Sequence, residues 1–319
     1  PYPKYTASLP NYDPAQQNGL SIPYYLPETR KMPMTQNWNF GVQMELPWQT
    51  RLEVNYVGSK GTRLTDQYVS NINQVDPKYL SLGNALIEGI SLHPEIKKPY
   101  ASFSGTVAQS LLPFPQYTGV STHRLNEGWS NYNSLQITAT KRATTGLSFL
   151  VAYTFSKALG TADAAVAYGW YGGYGQTIYN RKLDYSVSSL NVPQDLKITW
   201  IYDLPFGYDR HWLKSGPLAY IFGGWTITGI NRFYSGAPLS ISSGSSPDTS
   251  ALFNSGYYVD TLLPRDQQII GSKPSDPNRG SGSPYLNAAA WAMVPVTSNN
   301  VAKRFGNGVR WQPNPVSYT

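Results

Sequence analysis

Six segments of the chain alternate apolar and polar residues with a period of two. In residues 132–159, YNSLQITATKRATTGLSFLVAYTFSKAL, two such runs flank the polar stretch KRATTG. Successive side chains of an extended strand point to opposite faces, so each run predicts a strand with one apolar and one polar face. The predicted apolar face of this ribbon consists of Leu135, Ile137, Ala139, Leu147, Phe149, Val151 and Tyr153, with Leu150 as the one large exception on the polar face.

The alternating segments come in three pairs with unequal connections. The predicted strands cover residues 37–46, 50–58, 132–141, 147–157, 195–204 and 225–235. Tight connections at 47–49 and 141–146 and a medium one at 205–224 alternate with long stretches at about 59–130, 158–194 and 236–310. Every long stretch would therefore leave the sheet on the same side. Short helices are expected within 73–89 and near 217–222.

This asymmetry predicts an all-β fold, a transmembrane antiparallel β-barrel with short periplasmic turns and long extracellular loops. Within a compact soluble domain, such long loops would count against the strand assignment. A two-layer β-sandwich with Tyr-rich loops stays open as an alternative, because the signal of each barrel strand is weak.

Charged residues are scarce and aromatic residues are abundant. Charged residues form 13% of the chain, against about 25% in soluble domains, and aromatic residues form 14%. The aromatic residues gather near strand ends, as they do at the two lipid interfaces of membrane barrels. The predicted lipid-interface girdle comprises Trp38, Tyr56, Tyr153, Phe155, Trp200, Tyr202 and Trp225.

Six strands cannot close a bacterial barrel, since the smallest have about eight. An open edge in lipid would leave backbone N–H and C=O groups unpaired. We therefore expect the remaining strands from sequence outside this chain, from weaker strands at 20–35 or 237–243, or from other protein chains. Both ends of the sequence are interpreted as cuts in a longer polypeptide.

Several classes of function find no support in the residues. The chain has no cysteine, its basic residues form no stripe for nucleic acid, and no run of about 18 apolar residues predicts a membrane helix. His93, His123 and His211 are far apart and lack the spacing of a metal site. We therefore expect no enzyme activity, no metal and no cofactor.

Six motifs occur in an order that resembles the C-terminal barrel of TonB-dependent-receptor-like outer-membrane proteins, above all the Oar-like group common in Acidobacteria. They are NWNFGVQMELPWQTRLEVNYVGSKGTRL (37–64), LLPFPQYTGV (111–120), the ribbon 132–159, YDLPFG (202–207), GGWTITGINRFYSGAPLSI (223–241), and YLNAAAW with FGN (285–291, 305–307). The resemblance implies a barrel of about 22 strands with an internal plug, which imports bulky solutes with energy from the TonB system.

The chain departs from this family pattern at three places. The plug and the segment that contacts TonB would precede Pro1. At the start of the predicted strand 195–204, where the family usually shows an Asp-x-Arg-His pattern before the strand, this chain has PQDLKIT (193–199). After FGN the sequence GVRWQPNPVSYT departs from the Gly-Pro-Gly segment and closing strands of the family. These departures leave the C-terminal boundary of the domain open.

Two sets of residues are candidates for binding. The loop stretch YGWYGGYG (168–175) could stack on sugar rings or contact another chain, although a self-packed loop is the preferred interpretation. Its candidate substrate-binding residues are Tyr168, Trp170, Tyr171 and Tyr174. On the predicted lumen face, Arg51, Lys197 and Arg232 could steer anionic solutes, but pairing with Glu53, Asp195 or Asp203 is the preferred account.

The leading hypothesis is a bacterial outer-membrane barrel that takes up a bulky solute such as a siderophore, glycan or peptide. Its expected partners are outer-membrane lipid, the TonB system through a plug domain outside this chain, and other protein chains that complete or surround the barrel. Nucleic acid is not an expected partner. The alternatives are a structural or adhesive surface protein that presents Tyr-rich loops, and a soluble glycan-binding β-sandwich.

Overall fold

The computed structural model describes residues 14, 18–24, 31–64, 67–142, 146–161, 176–208, 210–241, 252, 257–271 and 284–309. Its strands are β1 (Leu20–Tyr24), β2 (Met34–Leu46), β3 (Thr50–Leu64), β4 (Gln67–Asn71), β5 (Tyr117–Leu125), β6 (Gly128–Lys141), β7 (Leu147–Gly160), β8 (Ser186–Val187), β9 (Gln194–Asp203), β10 (Thr226–Tyr234), β11 (Asp260–Thr261) and β12 (Trp291–Ala292). The α-helices are α1 (Val107–Ser110) and α2 (Pro217–Phe222). Short 3-10 helices span Pro77–Ile87, Ile90–Leu92, Arg181–Asp184, Arg265–Gln267 and Ala288–Ala290.

The largest sheet has seven strands. Six long strands follow the order β10-β9-β7-β6-β3-β2 with antiparallel neighbours, and we call them the six-stranded sheet; the two-residue β8 pairs with the end of β7. The β2–β3 hairpin closes at the pair Leu46 and Thr50. Its turn places Trp48 at φ 61° and Gln49 at φ 56°, the left-handed backbone that suits a tight hairpin. The prediction of a mostly-β, antiparallel fold is confirmed.

The described part of the chain forms an open sheet, with β2 and β10 at its two edges. The sequence leaves residues 20–35 open as one source of a further wall strand, but β1 pairs in parallel with β5 in a separate three-stranded sheet, β1-β5-β4. Only the start of β2, at Met34, falls in that stretch as part of the large sheet. The expected helices within 73–89 and at 217–222 are present as Pro77–Ile87 and α2.

The long stretches between strand pairs hold the hydrophobic core of the described residues. Its buried members are Val75, Leu80, Leu86, Ile90, Phe103, Val107, Ala108, Leu112, Leu252 and Val301. None of them belongs to the six-stranded sheet. The stretch 59–130 therefore differs from the irregular loop expected from its Gly- and Pro-rich sequence, since it contains β4, β5, α1 and a packed core.

We call residues 72–112, 176–185, 252, 257–261 and 300–309 the loop module. Buried polar groups link its segments, which are distant in sequence. Gln176 Nε2 donates to the carbonyl oxygen of Gly306 at 3.1 Å, and the backbone N–H of Ile178 donates to Gln74 Oε1 at 3.0 Å. The Tyr258 hydroxyl donates to Asp184 Oδ1 at 3.0 Å. These bonds join parts of three connections into one folded unit.

Side-chain caps fix the start of two helices in the loop module. Asp76 accepts a hydrogen bond from the backbone N–H of Lys78 at 3.0 Å, ahead of the 3-10 helix Pro77–Ile87. Thr106 accepts one from the N–H of Gln109 at 3.2 Å and so caps α1. Such caps satisfy N–H groups that have no partner inside the helix. No helix among the described residues is long and apolar enough to cross a membrane.

The core of the loop module gives a direct test of its packing. Leu86 is fully buried, and Leu82 lies on the same 3-10 helix but is 40% exposed. We expect Leu86→Ala to destabilise the loop module by about 2–5 kcal/mol, because it leaves a cavity, and Leu82→Ala to have little effect. Hydrogen exchange of the amides in residues 77–112 measures both variants. Equal loss of protection in the two variants would contradict this core.

Candidate functional site

The strand register gathers the apolar residues of six strands on one face. Residues directly opposite each other in an antiparallel sheet project to the same side. One row across the sheet joins Val42, Val54, Ile137, Tyr153, Leu196 and Phe233. Neighbouring rows add Trp38, Phe40, Tyr56, Leu135, Phe155, Met44, Leu52, Ala139, Val151, Ile198, Leu46, Phe149, Trp200, Leu147, Tyr202 and Ile227. We call this surface the apolar face.

The apolar face is open rather than packed. None of its residues is buried, and Phe40 is 70% and Phe155 52% exposed. In a β-sandwich such a face would lie against a second sheet about 10 Å away. An apolar surface that spans six strands far exceeds the patches that soluble monomers expose. The geometry therefore requires an apolar medium or a partner on this side.

The boundary of the apolar face runs obliquely across the sheet. Toward the long connections, the first non-apolar positions on this face are Gln36, Gly58, Asn133, Lys157, Gln194 and Ser235. From β2 to β10 this boundary shifts by two register rows, which is four residues along the strands. Four residues measure about 13 Å along a strand, and the five spacings between six strands measure about 24 Å across the sheet. The boundary is therefore inclined by about 30° to the line perpendicular to the strands. Barrel strands tilt by about 35–45°, so the band becomes nearly level when the strands tilt.

Two tryptophans of the apolar face cover glycines on the neighbouring strand. A Cβ at Gly58 would lie 2.2 Å from the Trp38 ring, and a Cβ at Gly229 would lie 2.5 Å from the Trp200 ring. The indole rings thus lie against bare backbone, a known way to support glycine in a sheet. The Tyr56 hydroxyl, at the edge of the band, donates to Asn133 Oδ1 at 2.6 Å.

The predicted girdle residues all lie on the apolar side of the sheet. Trp38, Tyr56 and Phe155 are near the long connections, and Trp200, Tyr202 and Trp225 are near the short turns. Tyr153 lies one row inside the band instead of at its edge. Contact of these residues with a lipid interface stays a prediction.

The opposite face of the sheet is polar and ion-paired. Arg232 donates through Nε and Nη2 to the two carboxylate oxygens of Asp195, both at 3.0 Å, and Lys197 lies 3.3 Å from the same carboxylate. Arg51 is 3.3 Å from Glu53. The expectation that these basic residues pair with neighbouring acids is thus confirmed. Asp203 likewise pairs with a basic residue, Arg210, at 3.7 Å.

A cavity of about 870 Å³ lies on this polar face near the short turns. Its lining includes two arginines and two glutamates, so their formal charges cancel. The lining residues are Gln43, Met44, Glu45, Gln49, Thr50, Arg51, Glu53, Thr138, Thr140 and Arg142. The sequence placed most of them on polar strand faces, but only the register shows that they converge. A neutral polar solute or water fits such a lining better than an ion of either sign.

The other candidate residues are not brought together. Tyr168, Trp170, Tyr171 and Tyr174 lie outside the described residues, so their role in binding stays a prediction. The ring nitrogens of His93 lie 2.7 Å from Glu88 and 3.0 Å from Glu95, which raises the pKa of His93. Within the described ranges, no group of His, Cys, Asp and Glu is arranged to hold a metal ion.

A bidentate ion pair of the loop module joins Asp260 and Arg304. Arg304 Nη1 and Nη2 donate to the two oxygens of the buried Asp260 carboxylate at 2.8 and 2.6 Å. The backbone N–H of Asn307 also donates to it, at 3.2 Å. The Arg304 hydrogen bonds lower the pKa of Asp260, against the opposing effect of burial. The pair holds β11 to the segment around residue 304.

Comparison with known proteins gives one match. A family model described as an outer membrane beta barrel domain matches residues 1–316. Searches of the curated proteins and of the solved structures found no match. The family model thus covers the six-stranded sheet and the loop module together.

The apolar face can be tested with arginine at matched positions of β7. Val151 lies in the middle of the band, and Thr154 lies on the polar face opposite Asp195. We expect Val151→Arg to lower the free energy of unfolding from a phospholipid bilayer by about 2–4 kcal/mol. Thr154→Arg should change it far less, because its charge meets a carboxylate and water. Urea titration measures both variants, and equal losses would contradict the assignment of the faces.

The Asp260–Arg304 pair predicts a pH dependence. The folded-state pKa of Asp260 lies below its unfolded value of 3.8. The stabilisation that the ionised Asp260 carboxylate gives to the folded state is therefore complete above about pH 4–5. It is lost as the pH falls through the folded-state pKa. Arg304→Met should destabilise residues 257–271 and 284–309 at pH 7 and reduce the stability that these residues lose between pH 7 and 3. Hydrogen exchange measures this, with exposed Lys303→Met as the control. An unchanged pH dependence in Arg304→Met would contradict this role of the ion pair.

Proposed function

Because the chain belongs to the outer membrane beta barrel domain family, we propose that it forms wall and outer loops of a TonB-dependent-receptor-like barrel that takes up a bulky solute. Membership of this family makes the chain an outer-membrane protein in a lipid environment. Solute uptake, dependence on the TonB system and an Oar-like relationship are our proposals beyond family membership. These proposals rest on the ordered motifs of residues 37–307 and on the two faces of the sheet.

The observation that carries the proposal is the two-faced, oblique sheet. The apolar face supplies a surface for lipid, and its slanted boundary matches the tilt of barrel strands. The polar face, with its paired charges around Asp195 and Glu53, supplies the lining of a wet interior. A soluble sandwich is disfavoured, because its apolar face would be buried against a second sheet.

The direction of the barrel follows from the connections. The turn at 47–49 and the connection from β9 to β10 lie at one end of the sheet, and the long connections that follow β3 and β7 leave it at the other. In bacterial barrels the short turns are periplasmic and the long loops extracellular. We therefore place the loop module outside the cell, where a folded entrance could select solutes. The plug and its TonB contact would be supplied by sequence outside this chain.

The internal surface favours passage of a polar solute over catalysis. The cavity near the short turns carries hydroxyl, amide and paired charged groups, with no net charge from its arginines and glutamates. Such a lining can form hydrogen bonds with a neutral polar solute. An unpaired charge in the lining would instead bind an ion of opposite sign tightly and slow its passage. We therefore propose transport without an enzymatic step, a metal or a cofactor.

Uptake is tested by deleting the complete gene in the native host. Accumulation of labelled ferric siderophores, oligosaccharides and oligopeptides is measured with and without a protonophore. We expect deletion to lower the accumulation of one class of labelled solute to the level found in protonophore-treated parent cells, because TonB-dependent transport requires the proton gradient. No change in any class, together with weaker adhesion between cells, would contradict uptake and favour the structural alternative.

Two neighbouring positions of β6 separate transport from assembly. Thr138 lines the cavity, whereas Ile137 lies on the apolar face. Thr138→Trp should narrow the path and lower the uptake rate, and Ile137→Trp should leave it unchanged, with both proteins present in the membrane at wild-type levels. Equal uptake by the two variants would exclude this surface from the path.

A further inference from the structure

The connection between β9 and β10 displays apolar side chains without covering them. It spans residues 204–225 and contains α2, none of whose residues is buried. Tyr220 is 92% exposed, Ile221 59% and Leu218 53%. The other side chains of the connection that are more than half exposed include Tyr208, Trp212, Phe222 and Trp225. Barrel turns at this end are normally short, so a connection of this length and composition calls for an explanation.

The connection is a hydrogen-bonded scaffold rather than an irregular loop. The N–H of Gly207 donates to the carbonyl oxygen of Trp212 at 3.0 Å, and the N–H of Trp212 donates to that of Pro205 at 2.8 Å. A Cβ on Gly207 would lie 2.7 Å from Gly223 Cα, so bare backbone is needed where the two ends of the connection meet. The exposed apolar residues are therefore held in place.

The indole of Trp225 shows toward which side of the sheet α2 extends. Trp225 precedes β10 in the same alternation as Ile227, which lies on the apolar face. Its Nε1 donates to the carbonyl oxygen of Ile221, in the last turn of α2, at 2.9 Å. The C-terminal end of α2 thus contacts a side chain at the border of the apolar face. Trp225 thus links α2 to the border of the apolar face.

We propose that residues 204–225 are an interfacial anchor, in which the apolar residues of α2 and Trp225 insert into the phospholipid leaflet at the short-turn end of the barrel. Trp and Tyr suit this layer, since each has an apolar ring and a polar group. Leu218, Ile221 and Phe222 supply apolar area for the acyl boundary. The anchor would fix how deeply the barrel sits in the membrane and is independent of what the barrel transports.

Charge contributes little to this anchor. Residues 204–225 contain Asp209, Arg210 and Lys214, a formal charge of only +1, and Asp203 directly precedes them. Arg210 is moreover paired with Asp203 at 3.7 Å. Binding is therefore carried by apolar and aromatic side chains, and zwitterionic phospholipid should serve as well as anionic phospholipid.

Single cysteines test the anchor, because the chain has none of its own. Tyr220→Cys and Leu218→Cys carry a fluorophore in the full-length protein, reconstituted in phosphatidylcholine vesicles that contain nitroxide-labelled lipid. Leu92→Cys, at an exposed site of the loop module, is the control. We expect quenching at positions 218 and 220 to exceed that at 92 about threefold, and to be unchanged when anionic lipid is added.

Two results would overturn the proposal. Labels at 218 and 220 that aqueous iodide quenches as strongly as the label at 92 would show that α2 lies in water. Labels shielded from both iodide and nitroxide lipid would show that another protein segment covers α2. Tyr220 is almost fully exposed, so its replacement leaves the fold intact, and transport activity does not enter the measurement.

Discussion

The two-faced sheet depends on the backbone hydrogen bonds that pair its six long antiparallel strands. In lipid an unpaired N–H or C=O is too costly, so strands can span a membrane only as a paired sheet. The same pairing sets which residues share a face, because opposite residues project to the same side. A slip of one residue would exchange Phe149, on the apolar face, with its polar neighbour Ser148. The strand register therefore determines that the sheet has one apolar and one polar face.

The packing of the chain is reversed relative to a soluble β protein. The sheet keeps its apolar residues exposed, and the buried hydrophobic residues, such as Phe103 and Leu86, lie in the long connections. The proposed barrel accounts for this division. Lipid would replace a protein core on the apolar side of the sheet, whereas a loop module in water must bury its own apolar side chains to remain folded. The Asp260–Arg304 pair and the buried Gln176 then fix its segments in place.

The sequence could predict the strands because a period of two is a local signal. Residues 147–155 of β7 show it directly, and the tilt of the apolar band follows once the strands are aligned. The loop module could not be predicted in the same way. Its core joins Val75 to Leu252 and Val301, contacts between distant segments without a shared period. The pairing of β1 with β5 is equally non-local, and the cavity beside Arg51 depends on register between strands.

The central claim, that one face of the sheet meets lipid and the other water, is tested most directly by a spin-label scan of β7. Nitroxides placed singly at positions 147–155 of the full-length protein in bilayers report their accessibility to oxygen and to a water-soluble nickel complex. The account predicts a period of two, with oxygen favoured at 147, 149, 151, 153 and 155 and nickel favoured at the positions between them. Nickel access at every position, or a profile without alternation, would contradict it.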